Sequence, residues 1–364
     1  MKTIKQNNMK KILTVLLISG SSLFFSNQAT AQDIHFSQFY ENAILRNPAL
    51  VGIFSGDYKY GFNYRNQWST ISVPFQTGLV SGEMRIPISQ ENGDFLSIGA
   101  TFTYDHAGSI NFNSTQIYPA LNYNKSLEDK HHSYLSAGFA VGYIQRSVDP
   151  SKMKFSSQYS GGSYNPGSSS GENINNVKLD YIDVGAGVSF NSSMGSQNNI
   201  NYYIGAAAYH INKPKAAFNK NESFVRLNTK WNGNLGFYWS ISPTVGFTAH
   251  GNYSKQGTYT ETIVGGLLSW RKYDASMNSV FAIYGGVFYR FNDALIPTIK
   301  LDYKKYSFTI SYDYNTSSLR TASNGVGGVE ISVYTRGSLT KGLWAMEKTK
   351  CPRFESMLMP TTTD

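Results

Sequence analysis

Hydrophobic and polar residues alternate along most of the chain, from Tyr58 to Thr335, in segments of about ten residues separated by Gly, Asn, Ser and Pro. In the segment 180–191, the even-numbered residues from Ile182 to Phe190 are apolar, whereas the odd-numbered residues between them are Asp, Gly and Ser. The segments 94–105 and 132–143 alternate in the same way. A period of two residues predicts β-strands with one apolar and one polar face.

Repetition of such segments is typical of a barrel that crosses a membrane. The polar faces carry mostly Gly, Ser, Thr and Asn rather than the charged residues that coat a soluble sandwich, and the apolar faces often end in aromatic residues. We therefore predict an all-β fold, a transmembrane antiparallel β-barrel of about fourteen strands in the outer membrane. The predicted strands start near residues 58, 74, 95, 114, 133, 180, 201, 225, 243, 259, 279, 296, 307 and 325.

The ends of the chain differ from the repetitive middle. Residues 1–31 have the features of a signal peptide for export across the inner membrane, because lysines precede the apolar run Ile12–Phe25 and Ala29-Thr30-Ala31 forms a cleavage site. We predict a periplasmic N-terminal segment at 32–57 that plugs the barrel or lines its mouth, and a barrel at 58–336 with a long extracellular loop at about 149–179. A periplasmic C-terminal tail follows at 337–364.

Composition narrows the possible functions. Only 15% of the residues are charged, whereas about a quarter are charged in ordinary soluble domains. The formal net charge of +9 becomes 9 − 4 = +5 without the four signal-peptide lysines, and it forms no basic stripe, so we expect no nucleic-acid partner. One cysteine and scattered histidines predict no disulfide framework, no metal site and no cofactor.

If the apolar faces contact lipid, several charged side chains point into the lumen, where they need partners or water. They either line a selective pore or docking surface, or pair with one another inside a closed barrel, and we favour the pairing. Barrel closure places strand fourteen beside strand one, which brings Glu330 towards Lys59 or Arg65. The predicted lumen charges are Lys59, Arg65, Glu83, Arg85, Arg226, Lys230, Asp302, Asp313 and Glu330, together with Lys300 and Lys304 beside Asp302.

Short motifs at the two ends carry a resemblance to a known family. The first motif is Phe36–Tyr40 followed by Asn47-Pro48-Ala49-Leu50 and Gly52, and the second is Arg65, Gln67 and Trp68. The third is Cys351-Pro352-Arg353-Phe354 near the C-terminus. With these motifs the chain resembles the PorP/SprF family of the type IX secretion system, which occupies the outer membrane of Bacteroidota.

The resemblance implies a non-catalytic outer-membrane protein that assists export or surface anchoring of a cargo protein, such as a large adhesin, gliding adhesins included, by binding its C-terminal domain. A core subunit that contacts the periplasmic ring, lipoprotein components and motor is the alternative within the family. Three rival interpretations remain: a passive porin, a barrel enzyme with a buried Ser/His or Asp/His pair, and a soluble β-sandwich.

The two ends of the mature chain also contain the candidate partner-binding residues. The amphipathic block before the first strand either seals the lumen or binds a partner directly. The basic and aromatic tail is suited to periplasmic docking or to packing, and for its cysteine we favour these roles over redox chemistry. These candidates are Phe36, Ser37, Gln38, Phe39, Tyr40, Asn47, Pro48, Cys351, Pro352, Arg353 and Phe354.

Overall fold

The computed structural model describes residues 33–69, 73–88, 92–171, 177–195, 198–218, 225–273, 279–318 and 320–339. Within these residues, fourteen antiparallel strands form a closed barrel in which each strand pairs with its neighbours in chain order. Strands β1 and β14 close the barrel, with Tyr58 opposite Gly337 and Gln67 opposite Gly328. The predicted fold class is therefore confirmed. The predicted signal peptide and most of the predicted tail lie outside the described residues.

The strands are 10 to 17 residues long, which is long enough to cross a bilayer when tilted. The strands are β1 (Tyr58–Gln67), β2 (Phe75–Pro87), β3 (Phe95–Ala107), β4 (Phe112–Ser126), β5 (Tyr134–Ser147), β6 (Lys178–Met194), β7 (Ile200–Tyr209), β8 (Lys230–Ser240), β9 (Val245–Gln256), β10 (Tyr259–Tyr273), β11 (Ser279–Arg290), β12 (Ala294–Tyr303), β13 (Tyr306–Asn315) and β14 (Val326–Gly337).

In the part of the chain that the structure describes, helical structure is confined to single turns. Turns of 3-10 helix at Phe39–Glu41 and Pro48–Leu50 flank α1 (Ala43–Arg46), and α2 (Arg320–Ser323) precedes the last strand. Two further 3-10 turns, Pro150–Lys152 and Ser156–Gln158, and a small hairpin of Tyr159–Ser160 with Ser163–Tyr164 lie in the loop after β5. Among the described residues, no helix is long and apolar enough to cross a membrane.

The alternation in the sequence separates the two faces of the barrel wall. On β6, Ile182 and Val188 are about half exposed on the outside, whereas Asp183 and Ser189 are buried on the inside. The same division holds along β5, where Leu135 and Phe139 face outward and Ser136 and Ala140 face inward. The outer face is thus suited to lipid and the inner face to a polar, filled lumen.

The two ends of the barrel have different connections. We call one the loop end, because it carries the long connections 148–177 and 210–229 that follow β5 and β7. We call the other the turn end, because it carries short connections such as 241–244 and 304–305. Strand β1 begins and β14 ends at the turn end. That the loop end faces outside the cell stays a prediction.

Candidate functional site

The segment that precedes β1 lies inside the barrel. We call residues 34–57 the plug. Its first residues are near the loop end, where the Arg65 Nη1 atom donates a hydrogen bond of 2.6 Å to the His35 carbonyl. Its last residue is at the turn end, where the Asp57 N–H donates to the Gly337 carbonyl at 2.8 Å. The segment therefore runs along the lumen from the loop end to the turn end.

The plug is packed by its aromatic residues on one side of the lumen. The rings of Phe39 and Phe288 meet edge to face at 5.7 Å, and Tyr40 stacks on Phe288 at 5.1 Å and on His250 at 5.2 Å. All are nine-tenths buried or more. Stacked and edge-to-face aromatic pairs add to the gain from burial. The amphipathic pattern of the block therefore reflects packing against the inner wall.

A network of charges holds the first part of the plug near the loop end. Arg65 and Arg290 both pair with Asp313, at 2.8 and 3.1 Å. The Ser37 hydroxyl donates to Asp313 at 2.6 Å, and the backbone N–H of Ser37 donates to Glu330, also at 2.6 Å. Glu330 lies opposite Arg65 in the strand register, but Arg65 pairs with Asp313 and Glu330 receives the plug backbone.

His35 lies beside this network. Burial lowers the pKa of the imidazole well below its ordinary value of 6.5, and the positive charges of Arg65 and Arg290 lower it further. A neutral histidine needs no counter-ion here, so the carboxylates remain available to the arginines.

A second ionic cluster lies deeper in the lumen. The carboxylate of Glu41 is 2.7 Å from the Lys300 Nζ and 3.4 Å from the Lys59 Nζ, and all three side chains are buried. Burial opposes ionisation of Glu41, but the positive charges of Lys300 and Lys59 outweigh it and hold the pKa of the carboxyl well below its ordinary value. One plug carboxylate thus pairs with two wall lysines that are far apart in sequence.

At the turn end, β2 holds the last turns of the plug through its backbone. The Glu83 carboxylate accepts a hydrogen bond of 2.8 Å from the Gly52 N–H, and the Arg85 Nε donates to the Gly52 carbonyl at 2.5 Å. Arg85 also donates to the Phe54 carbonyl, and its guanidinium lies 5.0 Å from the Phe54 ring centre. Charge-assisted bonds of this kind are stronger than neutral ones.

Small residues in the wall make room for the middle of the plug. A Cβ atom on Gly138 would collide with the backbone of Pro48 and Ala49, and one on Gly187 would collide with the amide oxygen of Asn47. The Asn122 amide donates to the Ala49 carbonyl at 3.0 Å. The wall therefore fits the plug in shape and also forms hydrogen bonds with it.

Two small cavities lie beside the plug. A cavity of about 10 Å³ is lined by Tyr40, Arg46, His250 and their neighbours, and one of about 40 Å³ lies towards the loop end beside His35 and Glu261. A buried water needs about 10–15 Å³ by this measure. The cavities therefore have room for one water and for about three waters, respectively.

The described part of the lumen contains most of the predicted charges. Those that are buried on the inner wall are Lys59, Arg65, Glu83, Arg85, Lys300, Asp302, Asp313 and Glu330. Lys230 is partly buried beside the larger cavity.

Two predicted positions were wrong. Arg226 is exposed outside the barrel wall, because β8 starts at Lys230 and not near residue 225, and the irregular residues 227–229 break the alternation. Lys304 is exposed in the turn after β12.

Several charged residues of the lumen were not predicted, and on the wall they include Arg146, Asp183, Arg271 and Arg336. Glu41 and Arg46 belong to the plug, and Arg290 ends β11, whose inner face mixes Ala282, Phe288 and other apolar residues with this one cation. Val287 and Tyr289 lie two positions apart in the sequence, and both are exposed on the outer face. Because side chains alternate along a strand, the neighbouring Arg290 could have been predicted to face inward.

A model of the family described as type IX secretion system membrane protein PorP/SprF matches residues 28–334. The chain belongs to the PorP/SprF family. The sequence resemblance is thus confirmed, and the protein is an outer-membrane component of the type IX secretion system. A comparison with curated proteins gives no match.

Among solved structures, this PorP/SprF protein is similar to a Pseudomonas aeruginosa FadL homologue, with a TM-score of 0.50 and 10% identity over 80% of this chain and 92% of the other. The CymD monoaromatic hydrocarbon channel has a TM-score of 0.47 and 10% identity, over 82% and 93% of the two chains. CdiB from Acinetobacter baumannii has a TM-score of 0.44 and 6% identity over 77% of this chain, which spans 60% of the CdiB chain. At these identities the likeness concerns the barrel fold alone.

A buried Asp/His pair, which the rival enzyme interpretation requires, occurs near the loop end. Asp183 and His210 are 2.9 Å apart, and the Tyr118 hydroxyl donates to the other oxygen of Asp183 at 2.7 Å. Tyr118 and Tyr209 pack with the plug residue Ile44 in one apolar cluster. The pair is thus linked to this cluster of wall and plug residues through the Tyr118 hydroxyl. Within the described residues, no group of three or more His, Cys, Asp and Glu side chains is placed to hold a metal.

The candidate partner-binding residues fall into two groups. Phe36, Ser37, Gln38, Phe39, Tyr40, Asn47 and Pro48 are buried in the PorP/SprF plug. In this closed arrangement they contact the barrel wall. Cys351, Pro352, Arg353 and Phe354 lie outside the described residues.

Proposed function

We propose that this PorP/SprF protein is a non-catalytic and non-conducting platform that assists export or surface anchoring of a type IX cargo, such as a large adhesin, by binding its C-terminal domain. The observation that carries the proposal is the plug. A segment that is bonded to the wall from end to end leaves the outer surfaces of the barrel as the places where a cargo can bind.

The filled lumen favours this platform over a passive porin. Passage of a solute would require removal of Glu41 from Lys59 and Lys300, which leaves two buried cations without their carboxylate. Single-channel recordings of the purified protein in planar bilayers test the point. Steady conductance in the wild-type protein would support the porin and contradict the platform.

The loop end offers the surface on which cargo binding is proposed. The loop after β5 is rich in Ser, Gly, Asn and Tyr, the residue types that form adaptable protein-binding surfaces. Its small hairpin places the rings of Tyr159 and Tyr164 5.4 Å apart, and Tyr159 is 55% exposed. Lys154 lies 5.0 Å from the Tyr164 ring centre. The hairpin thus presents an aromatic and basic surface outside the barrel.

Affinity purification from native outer membranes, with mass spectrometry of the recovered chains, tests cargo binding. We expect a large surface protein that ends in a type IX C-terminal domain, and we expect Tyr159→Ser with Tyr164→Ser to reduce its recovery. Ile241→Ser, an exposed apolar residue in a turn at the opposite end, is the matched control. Equal recovery with both variants would remove the hairpin from the proposal, and recovery of no cargo would contradict cargo binding.

A core subunit that contacts the periplasmic ring or lipoprotein components is the second candidate function. It is favoured by the start of the tail, because the Leu339 N–H donates to Asp57 at 2.8 Å and so holds residue 339 at the turn end, where the plug joins β1. In this case the same purification would recover ring and lipoprotein components, and deletion of residues 340–364 would abolish that recovery.

A further inference from the structure

A short hairpin extends from β7 and β8 beyond the barrel wall at the loop end. The Ala216 N–H donates to the Val225 carbonyl and the Leu227 N–H donates to the Pro214 carbonyl, each at 3.0 Å. These bonds place Lys215 directly opposite Arg226. The hairpin is therefore a defined piece of antiparallel structure that carries two facing cations.

The two faces of this hairpin have different surroundings. Leu227 is buried and Ala216 packs beside it, in the apolar cluster that contains the plug residue Ile44. Because neighbouring side chains along a strand point to opposite faces, Lys215 and Arg226 are on the other face, and both are exposed. The two cations thus point away from the lumen.

Positive charge is concentrated on this outer face. The Arg226 Nη1 atom donates to the Lys213 carbonyl at 3.0 Å, which keeps a third exposed cation beside the first two. Like charges directly opposite one another across a strand pair are destabilising. In the described part of the chain, no carboxylate forms an ion pair with Lys213, Lys215 or Arg226. An anion bound between the cations would remove the repulsion.

The aromatic residues next to the hairpin indicate where it lies relative to the membrane. Trp231 is 61% exposed on the outer face of β8, and Lys255 lies opposite it on β9, two residues beyond the exposed Tyr253. Tryptophan and tyrosine on a lipid-facing wall mark the level of the headgroups. The basic hairpin precedes Trp231 at the loop end, so its cations are on the headgroup side of the lipid-facing wall.

We propose that Lys213, Lys215 and Arg226 bind the phosphate of a lipid headgroup in the outer leaflet. The guanidinium of Arg226 matches two phosphate oxygens at once, and the lysines add point charges around it. The position beside the lipid-facing Trp231 favours a lipid over an acidic protein segment. The proposal rests on the predicted orientation of the barrel and is independent of cargo binding.

Binding of lipid A to the purified full-length protein in detergent tests this site, with diphosphoryl lipid A and dephosphorylated lipid A as probes and native mass spectrometry as the readout. We expect the wild-type protein to retain the phosphorylated lipid and not the dephosphorylated one. Lys215→Gln with Arg226→Gln should weaken retention about tenfold, and added salt should weaken it in the wild-type protein.

Lys304→Gln with Lys305→Gln is the matched control, because it removes two exposed cations that also lie beside aromatic rings, at the turn end. We expect this variant to retain lipid as the wild-type protein does. Heat-dependent gel mobility shows that each variant has a folded barrel. Equal lipid retention by the two double variants would overturn the proposal. So would equal retention of the two lipids, or loss of an acidic protein partner from the hairpin variant without any loss of lipid.

Discussion

Substitution of Glu41 is the most informative perturbation of the plug. Its carboxylate lies 2.7 Å from the Lys300 Nζ and 3.4 Å from the Lys59 Nζ. Glu41→Ala removes the carboxylate and leaves two ammonium groups that are almost fully buried. A buried charge that loses its carboxylate either forces water into the site or forces the segment that covers it to move.

The magnitude follows from the burial of the cluster. Breaking a buried pair by removing one partner costs about 3–5 kcal/mol. Since about 1.4 kcal/mol corresponds to a tenfold change in an equilibrium, the balance between a seated and a displaced plug shifts by about 10²- to 10⁴-fold. We therefore expect Glu41→Ala to lower the thermal unfolding midpoint of the protein and to produce open events in planar bilayers.

A matched control and a compensating variant separate the ionic effect from a general loss of packing. Glu128→Ala removes an exposed carboxylate in the turn after β4, and we expect it to change neither quantity. Replacement of a buried ionic cluster by apolar residues of similar size is often neutral or stabilising. Glu41→Leu combined with Lys59→Met and Lys300→Met should therefore restore a closed, stable barrel.

The reasoning would be refuted by a Glu41→Ala protein that melts and conducts as the wild-type protein does. It would also be refuted if the triple variant were less stable than Glu41→Ala, because loss of packing would then explain the result better than loss of charge.

Three further results are expected. The carboxyl of Glu41 has a lowered pKa in the folded protein, so its contribution to stability is complete above its ordinary pKa of 4.5 and is lost as the pH falls below that value. The difference in unfolding midpoint between the wild-type protein and Glu41→Gln should therefore be constant above pH 4.5 and shrink below it. Gly138→Leu should displace Pro48 and expose the plug to protease, while Gly82→Ala on the outer face, with 3.8 Å to the nearest atom, should not. Arg65→Met should lower the free energy of unfolding by about 3 kcal/mol, measured against denaturant, because Asp313 loses one of its two arginine partners; an unchanged midpoint in that titration would show that Arg290 is sufficient.

The strands could be predicted from the sequence because the two faces of each strand have different surroundings. Along β5 and β6, one face contacts lipid and the other faces the lumen, so apolar and polar residues alternate along each strand. The same reading failed at Arg226, where residues 227–229 leave the strand and the alternation starts again at Lys230. The alternation within a strand therefore cannot predict which way a side chain points on the far side of such an irregular stretch.

The candidate site was predicted only in part, because its members come from distant parts of the chain. The sequence indicated that Asp313 and Glu330 face inward, and that their charges need partners. It did not indicate that Ser37 would donate to both, through its hydroxyl to Asp313 and through its backbone to Glu330. Nor did it indicate that Glu41 would pair with Lys59 on β1 and Lys300 on β12.

Strand periodicity and short motifs are local properties of a chain, so the sequence was sufficient to predict the barrel, about fourteen strands, the outward apolar face and the PorP/SprF family. The folded structure was needed to show that residues 34–57 fill the lumen, which partner each buried charge has, and that Lys215 and Arg226 face each other outside the wall. These features depend on closure of the barrel. Closure brings β14 to β1, so the plug contacts strands that are hundreds of residues apart in sequence. No local pattern can encode which side chains meet there.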